Sequence, residues 1–204
     1  GFGFLRDVFP DPYIVNWRLT RVGAVSDGMP GITVPYEAFP GSIGVLPGEP
    51  EIQKWKAREA DLASAGGVVL TPSAAGALPK KICGEMSKYK DDCLRTIPPR
   101  ENGGNMDVQQ QQIGTKIIFP CFIDGCGLFA GDIHYAQGDG EVSGTAIEMG
   151  SVVTVRVKIL PFKGEDMDMP VTVGNDQIID MEPTRYYQTL GIPIKGKGEI
   201  PPSH

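Results

Sequence analysis

No apolar run in this sequence approaches the ~20 residues that a membrane-spanning helix requires, so such a helix is excluded. A basic stripe is also missing. The net charge is −6 and the pI about 5.0, and the lysines at Lys80, Lys81, Lys88 and Lys90 are interleaved with Glu85, Asp91 and Asp92. Binding to a nucleic-acid backbone is therefore excluded. Cysteine is sparse: four residues at C-x9-C and C-x4-C spacing, without the C-x-x-C pair of thiolate zinc sites. With no signal-peptide pattern, the thiols are expected to be reduced and the chain cytoplasmic. Neither Cys121 nor Cys126 has a base beside it in sequence, and no G-x-S-x-G elbow is present, so nucleophilic Cys or Ser catalysis lacks a foundation. Histidine is as scarce as tryptophan, with two in 204 residues, His134 and His204.

What the sequence has in excess is glycine, 27 residues, and proline, 18. Both serve turns and bulges and are costly inside helices, so a loop-rich, mainly β fold is expected. Prolines 10, 12, 30, 35, 40, 47 and 50 leave no room for a helix in the first third. Strands are expected at YIVNWRLT (13–20), ITVPY (32–36) and SIGVL (42–46). One helix is predicted over 51–65, where Ile52, Trp55, Glu59 and Leu62 recur at helical spacing and Gly66-Gly67 stops it. Residues 71–100 read as an irregular arm or lid. Strands resume at QIGTKIIFPCFI (112–123), GSVVTVRVKIL (150–160) and MPVTVG (169–174). The second has the clearest alternation: Val153, Val155, Val157 and Ile159 against Thr154, Arg156 and Lys158. Residues 162–169 read as a polar loop and 192–204 as a surface arm.

The chemistry concentrates in GDIHYAQGDGEVSGTAIEMG (131–150). Asp132, His134, Asp139, Glu141 and Glu148 share a backbone broken by five glycines. Gly138 and Gly140 flank Asp139 and let a substrate approach the main chain. One histidine with carboxylate or amide oxygens suits a divalent ion, and a spare Glu would serve as general base; the same groups could also act as an acid–base pair without metal. A solvated Asp-Gly hairpin tip is the structural alternative. In a regular strand Glu141 and Glu148 face opposite ways, unless a bulge at Gly144 changes the register. ENGGNMD (101–107) is the second candidate: two glycines make a turn that can aim Asn105 and Asp107 at one point.

LRTIPPRENGGNMD (94–107) together with KIIFPCFIDGCGLFAGDIHYAQGDGEVSGTAIEM (116–149) resembles the acetamidase/formamidase family, most closely its fungal-type formamidase branch. FLRDVFPDPYIVNW (4–17) and RYYQTLGIPIKGKGE (185–199) carry the same resemblance, so it covers nearly all of residues 1–204 as a single domain. Family members are longer, and the chain, which begins GFGFLRD, is expected to be a fragment. The resemblance implies hydrolysis of formamide to formate and ammonia in a sandwich-like β fold, by a homo-oligomer. It also implies a divalent ion, zinc or calcium, and no organic cofactor. Acetamide or a small lactam is the alternative substrate, and a non-catalytic β module binding a metal or a partner is the alternative of another class. The expected roles are Glu141, His134 and Asp139 in catalysis; Gly138, Gly140 and Glu148 at the substrate; and Asn105, Asp107, Asp132 and His134 around the metal. Where relatives often read E-H-G-G-N-M-D, this chain has Asn102, which weakens any contact a histidine would make there.

Overall fold

The computed structural model describes residues 7–66, 79–84, 86–89, 92–141, 144–161 and 167–174, and the backbone of 187–189. Among the described residues, ten short strands fall into three antiparallel sheets. The first contains β1 (Arg18–Leu19), β2 (Ala24–Val25) and β3 (Thr33–Val34), in that order. The second has the order β5-β4-β7-β8, from β4 (Phe39–Gly44), β5 (Gly103–Asn105), β7 (Phe129–Ala136) and β8 (Ile147–Glu148). The third joins β6 (Lys116–Ile118), β9 (Val171–Val173) and β10 (Tyr187–Thr189). The mainly β expectation holds.

Side-chain alternation along β7 divides core from site. Tyr135 packs with Ala24 and Ala136, and its hydroxyl donates to the Thr20 carbonyl at 2.7 Å, tying β7 to the first sheet. His134, its neighbour, points the other way.

The helix α1 (Glu49–Ser64) begins two residues before the predicted start, with Pro50 in its first turn, and it buries Ile52, Trp55 and Glu59. Trp55 and Glu59 are essentially inaccessible. Glu59 receives two hydrogen bonds from Arg100, at 2.7 and 3.3 Å, so the helix grips the chain just before β5. A second helix, α2 (Lys80–Cys83), is a single turn.

Three expectations are corrected. The best alternating run, 150–160, forms no strand, and Val153, Val155, Val157 and Ile159 are 43 to 67% exposed. A strand also needs a neighbour for its N–H and C=O groups, and none of the described residues supplies one. YIVNWRLT contributes only the two residues of β1, and Tyr13 and Ile14 are exposed. The cysteines are paired, Cys83 with Cys93 and Cys121 with Cys126. Both pairs lie across turns that bring their Cα atoms within 5.6 and 4.8 Å. The first pair closes part of the expected arm, while 71–78, 162–166 and 192–204 lie outside the described residues.

Candidate functional site

His134 is the centre of the site. Its ring is wholly buried, flanked by Phe39 in an edge contact at 5.0 Å. Nε2 faces four carboxylates: Asp132 at 3.5 Å, and Asp107, Glu141 and Glu148 each at 3.9 Å. None is within hydrogen-bonding distance, and Nε2 has no partner at all. Two overlapping groups, Asp107–His134–Glu141 and Asp132–His134–Glu148, each keep one ligand atom per residue within 4.8 Å of the others.

Four elements deliver these residues. Strand β7 supplies Asp132 and His134 two positions apart, and β8 sets Glu148 opposite His134 in register. The glycine turn before and within β5 delivers Asp107: Gly103 and Gly104 have φ of +89° and +124°, and a Cβ on either would meet a backbone oxygen at 2.4 or 2.7 Å. The Gly41 carbonyl of β4 then accepts from the amides of Met106 and Asp107 at 2.9 and 3.1 Å. Gly41 also forms the wall of the site, since a Cβ there would lie 2.6 Å from His134 Nε2 and 2.9 Å from Asp107 Oδ1.

Asn105 and Asp107 are brought together as the turn suggests. Asn105 Nδ2 donates to Asp107 Oδ2 at 2.6 Å, and Asn105 Oδ1 accepts from Ser42 Oγ at 2.9 Å. Asp107 Oδ1 is left buried without a partner, facing the histidine. Asn102 turns away from this cluster, where its Nδ2 donates to the Val45 carbonyl at 2.7 Å and secures the end of β4.

The loop 138–141 is a tight turn with exposed Asp139 and Gly140, the latter at φ +71°. Asp139 is not among the groups around Nε2; its carboxylate accepts a hydrogen bond from Gln109. Gly138 and Gly140 lie on the same exposed turn, with open space around them. Glu141, by contrast, folds back until its side chain is only 17% exposed. A second turn at Gly144 (φ +66°) precedes β8, so 141–148 is not one regular strand, and Glu141 and Glu148 reach the same histidine.

Three of the site carboxylates sit on left-handed backbone: Asp107, Asp132 and Glu141, at φ of 51°, 54° and 46°. Non-glycine residues adopt this region rarely, and here it bends each side chain toward one point. Burial first, and then the charge of Glu141, push the Asp107 carboxyl up to about 7. Glu141 is raised by burial and Glu148 by burial and then by its neighbour Asp132. Four carboxylates around one imidazole thus hold more negative charge than their surroundings solvate.

A divalent ion fits this donor set. Ligand atoms about 2.0–2.1 Å from a tetrahedral zinc lie roughly 3.3 Å apart, close to the spacing found around Nε2. The mixture of one nitrogen with several oxygens suits a borderline or hard cation. Nε2 has one lone pair and serves one ion, so the two overlapping groups are alternative faces of a single site.

Reading the sequence alone missed Gly41, Ser42 and Gln137. Gly41 and Ser42 lie some ninety residues before the histidine, and F-P-G-S-I-G carries no signature that points to a site. Gln137 stood inside the motif without a role.

The Acetamidase/Formamidase family matches residues 1–202. The acetamidase of Mycolicibacterium smegmatis is 35% identical over 167 residues, 78% of this chain and 41% of that protein. The formamidase of Methylophilus methylotrophus is 32% identical over the same shares. Among solved structures, a gamma lactamase from Delftia acidovorans superposes with a TM-score of 0.68 at 32% identity, covering 84% of this chain and 44% of that one. The chain therefore spans less than half the length of these relatives.

Proposed function

Because this chain belongs to the acetamidase/formamidase family, we propose that it carries the hydrolytic site of a short-amide hydrolase, with formamide cleaved to formate and ammonia. The observation that carries the reading is the fully buried, unpartnered Nε2 of His134 among four carboxylates. Such an arrangement is unfavourable until a cation fills it.

His134 would hold the ion, zinc or calcium, with Asp107 on one face of the site or Asp132 on the other, and Asn105 fixes Asp107 from behind. Bound there, it supplies Lewis acidity to an amide carbonyl and to water. Glu141 is the general base. Burial raises its affinity for protons, so it can take the proton of the attacking water and return it to the leaving nitrogen. One water is consumed; the C–N bond breaks as the C–O bond forms, and ammonia leaves. Glu148, 3.9 Å from His134 Nε2, is assigned to accept from the amide N–H of the substrate. Asp139, occupied by Gln109, is assigned to holding the turn, and Gly138 and Gly140 to the flank where substrate approaches. Gly41 forms one wall of the site, and one- or two-carbon amides are the proposed substrates.

A second reading concerns the substrate. The likeness to a gamma lactamase supports a small cyclic amide as an alternative to formamide. The binding-module reading is disfavoured by Glu141, which an exposed calcium or partner loop would leave in water. We also propose that the protein works as a homo-oligomer, which sedimentation equilibrium tests directly.

The cytoplasmic location is retained as a proposal, and the two cysteine pairs weigh against it, because disulfides persist mainly in oxidising compartments. Extraction in a thiol-alkylating buffer decides: alkylated cysteines support the cytoplasm, and protected ones sink that location.

The functional test is ammonia release from formamide and acetamide, and amino-acid release from a γ-lactam, whose ring opening frees no ammonia, with and without chelator, alongside metal analysis. Release that stops on chelation and returns with one ion supports the proposal. Release unaffected in protein shown to be metal-free sinks the metal-assisted mechanism.

A further inference from the structure

Gln137 makes two hydrogen bonds that together decide the chemistry of His134. Its Nε2 donates to the backbone carbonyl of Asp107 at 2.9 Å. Its Oε1 lies 2.8 Å from His134 Nδ1. A carbonyl oxygen can only accept, so the amide NH2 of Gln137 must face Asp107. The orientation of the side-chain amide, ordinarily ambiguous, is thereby fixed. Its oxygen then faces the ring, and an oxygen can only accept. Nδ1 must therefore carry the proton. In neutral imidazole the other nitrogen is then bare. That nitrogen is Nε2, the atom surrounded by four carboxylates and left without a hydrogen bond.

We infer that Gln137 is a positioning residue that locks His134 as the Nδ1–H tautomer and keeps the Nε2 lone pair aimed at the carboxylate cluster. The alternative tautomer would place an Nε2–H donor among four acceptors, which is the more favourable state for an isolated ring in this pocket. Gln137 opposes that state. It does so while also holding the Asp107 main chain, so one side chain aligns a nitrogen ligand and an oxygen ligand across 30 positions of sequence. Partners behind a ligating histidine commonly set ligand basicity and orientation and alter metal affinity by about 10–100-fold when removed.

The inference rests on the proposed metal-binding reading for its consequence, but the tautomer itself can be measured without any metal. The full chain, labelled with 15N-histidine, is studied metal-free at about pH 8, above the ordinary histidine range. Bare and protonated ring nitrogens give distinct signals, and a His204→Gln variant assigns the only other histidine. Wild-type protein is expected to show His134 with Nδ1 protonated and Nε2 bare. Gln137→Met, close in length but unable to make either bond, should move His134 toward Nε2–H. It should also weaken binding of zinc alone, or of calcium alone, by about 10–100-fold. Gln137→Glu keeps an acceptor for Nδ1–H while giving up the donor to Asp107, so the wild-type tautomer and most of the affinity should return. A wild-type ring protonated on Nε2 overturns the inference, as does a Gln137→Met protein with unchanged tautomer and affinity. If Gln137→Met does not fold, the wild-type spectrum and Gln137→Glu still decide. If the wild type shows the Nδ1–H tautomer but binds neither ion, Gln137 keeps its role and the metal-assisted reading fails.

Discussion

At Gly41 the whole site turns on the absence of one carbon. A methyl group there would stand 2.6 Å from His134 Nε2 and 2.9 Å from Asp107 Oδ1, closer than any real carbon approaches. Backbone Gly41 has ordinary φ, so space alone fixes this residue. Gly41→Ala should therefore displace a ligand rather than unfold the chain, because overpacking costs about 1–3 kcal/mol. The expected result is at least a tenfold loss of ion affinity by competition titration, with circular dichroism unchanged; wild-type affinity would remove Gly41 from the wall of the site. Glu141 offers a complementary test. Glu141→Gln keeps shape and removes the proton acceptor, so turnover should fall by about 10²–10⁴-fold while ion binding changes little. A variant turning over normally would end the case for Glu141 as base.

At the scale of elements, helix α1 matters because of what it holds. Glu59 and Arg100 are 1% and 3% exposed and bonded through two contacts. Arg100 also bridges Gly103 through paired backbone bonds of 2.9 and 2.8 Å and donates to the Arg95 carbonyl. The helix thus anchors the turn that launches β5, Asn105 and Asp107. Glu59→Ala strands a buried guanidinium and should destabilise the fold by about 3–5 kcal/mol in denaturant unfolding. A neighbouring pair gives the contrast. Arg58 bonds Glu101 at 2.7 and 3.1 Å, yet its side chain is 40% exposed. Burial, the largest influence, would raise Glu101, but the Arg58 hydrogen bond, a backbone hydrogen bond and the Arg58 charge act together against it and hold the carboxyl below its ordinary value. Solvent screening limits that pair to about 0–1 kcal/mol, so Arg58→Ala should unfold within about 1 kcal/mol of wild type. Equal losses from both variants would refute the argument from burial.

Distance along the chain also decides what could be read from sequence. The helix was legible because its spacing and its Pro and Gly boundaries are local, and the glycine turn at 103–104 was legible because no other residue suits it. Glu59's partner was not, being 41 positions away. The cluster residues Asp132, His134, Glu141 and Glu148 were legible as a composition. Their convergence was not, because it depends on left-handed backbone at Asp132 and Glu141 and on the turn at Gly144. The alternation of 150–160 suggested one buried and one wet face, yet every residue of the segment is exposed, because a pattern within one segment cannot say whether another segment pairs with it.

For the whole molecule, the site is a reservoir of unfavourable charge that the rest of the fold must sustain. Asp107 moves from an ordinary 3.8 to about 7, driven by burial and then by Glu141, and Glu141 and Glu148 are displaced upward as well. A carboxyl with a higher affinity for protons when folded binds more protons in the native state between those values. Stability then falls as pH rises through the window from about 4 to about 7, since the derivative follows protons bound unfolded minus protons bound folded. An ion reverses the sense, because a ligand such as Asp107 must first lose its proton. Its stabilisation grows over the same range, reaching about 2.7 kcal/mol when free ion is a hundredfold above its Kd. Melting curves taken in chelator and in excess ion should therefore diverge as pH rises, the metal-free curve descending while the loaded one holds or climbs. Two parallel curves would show that the carboxylates around His134 neither repel one another without the ion nor contribute ligands to it.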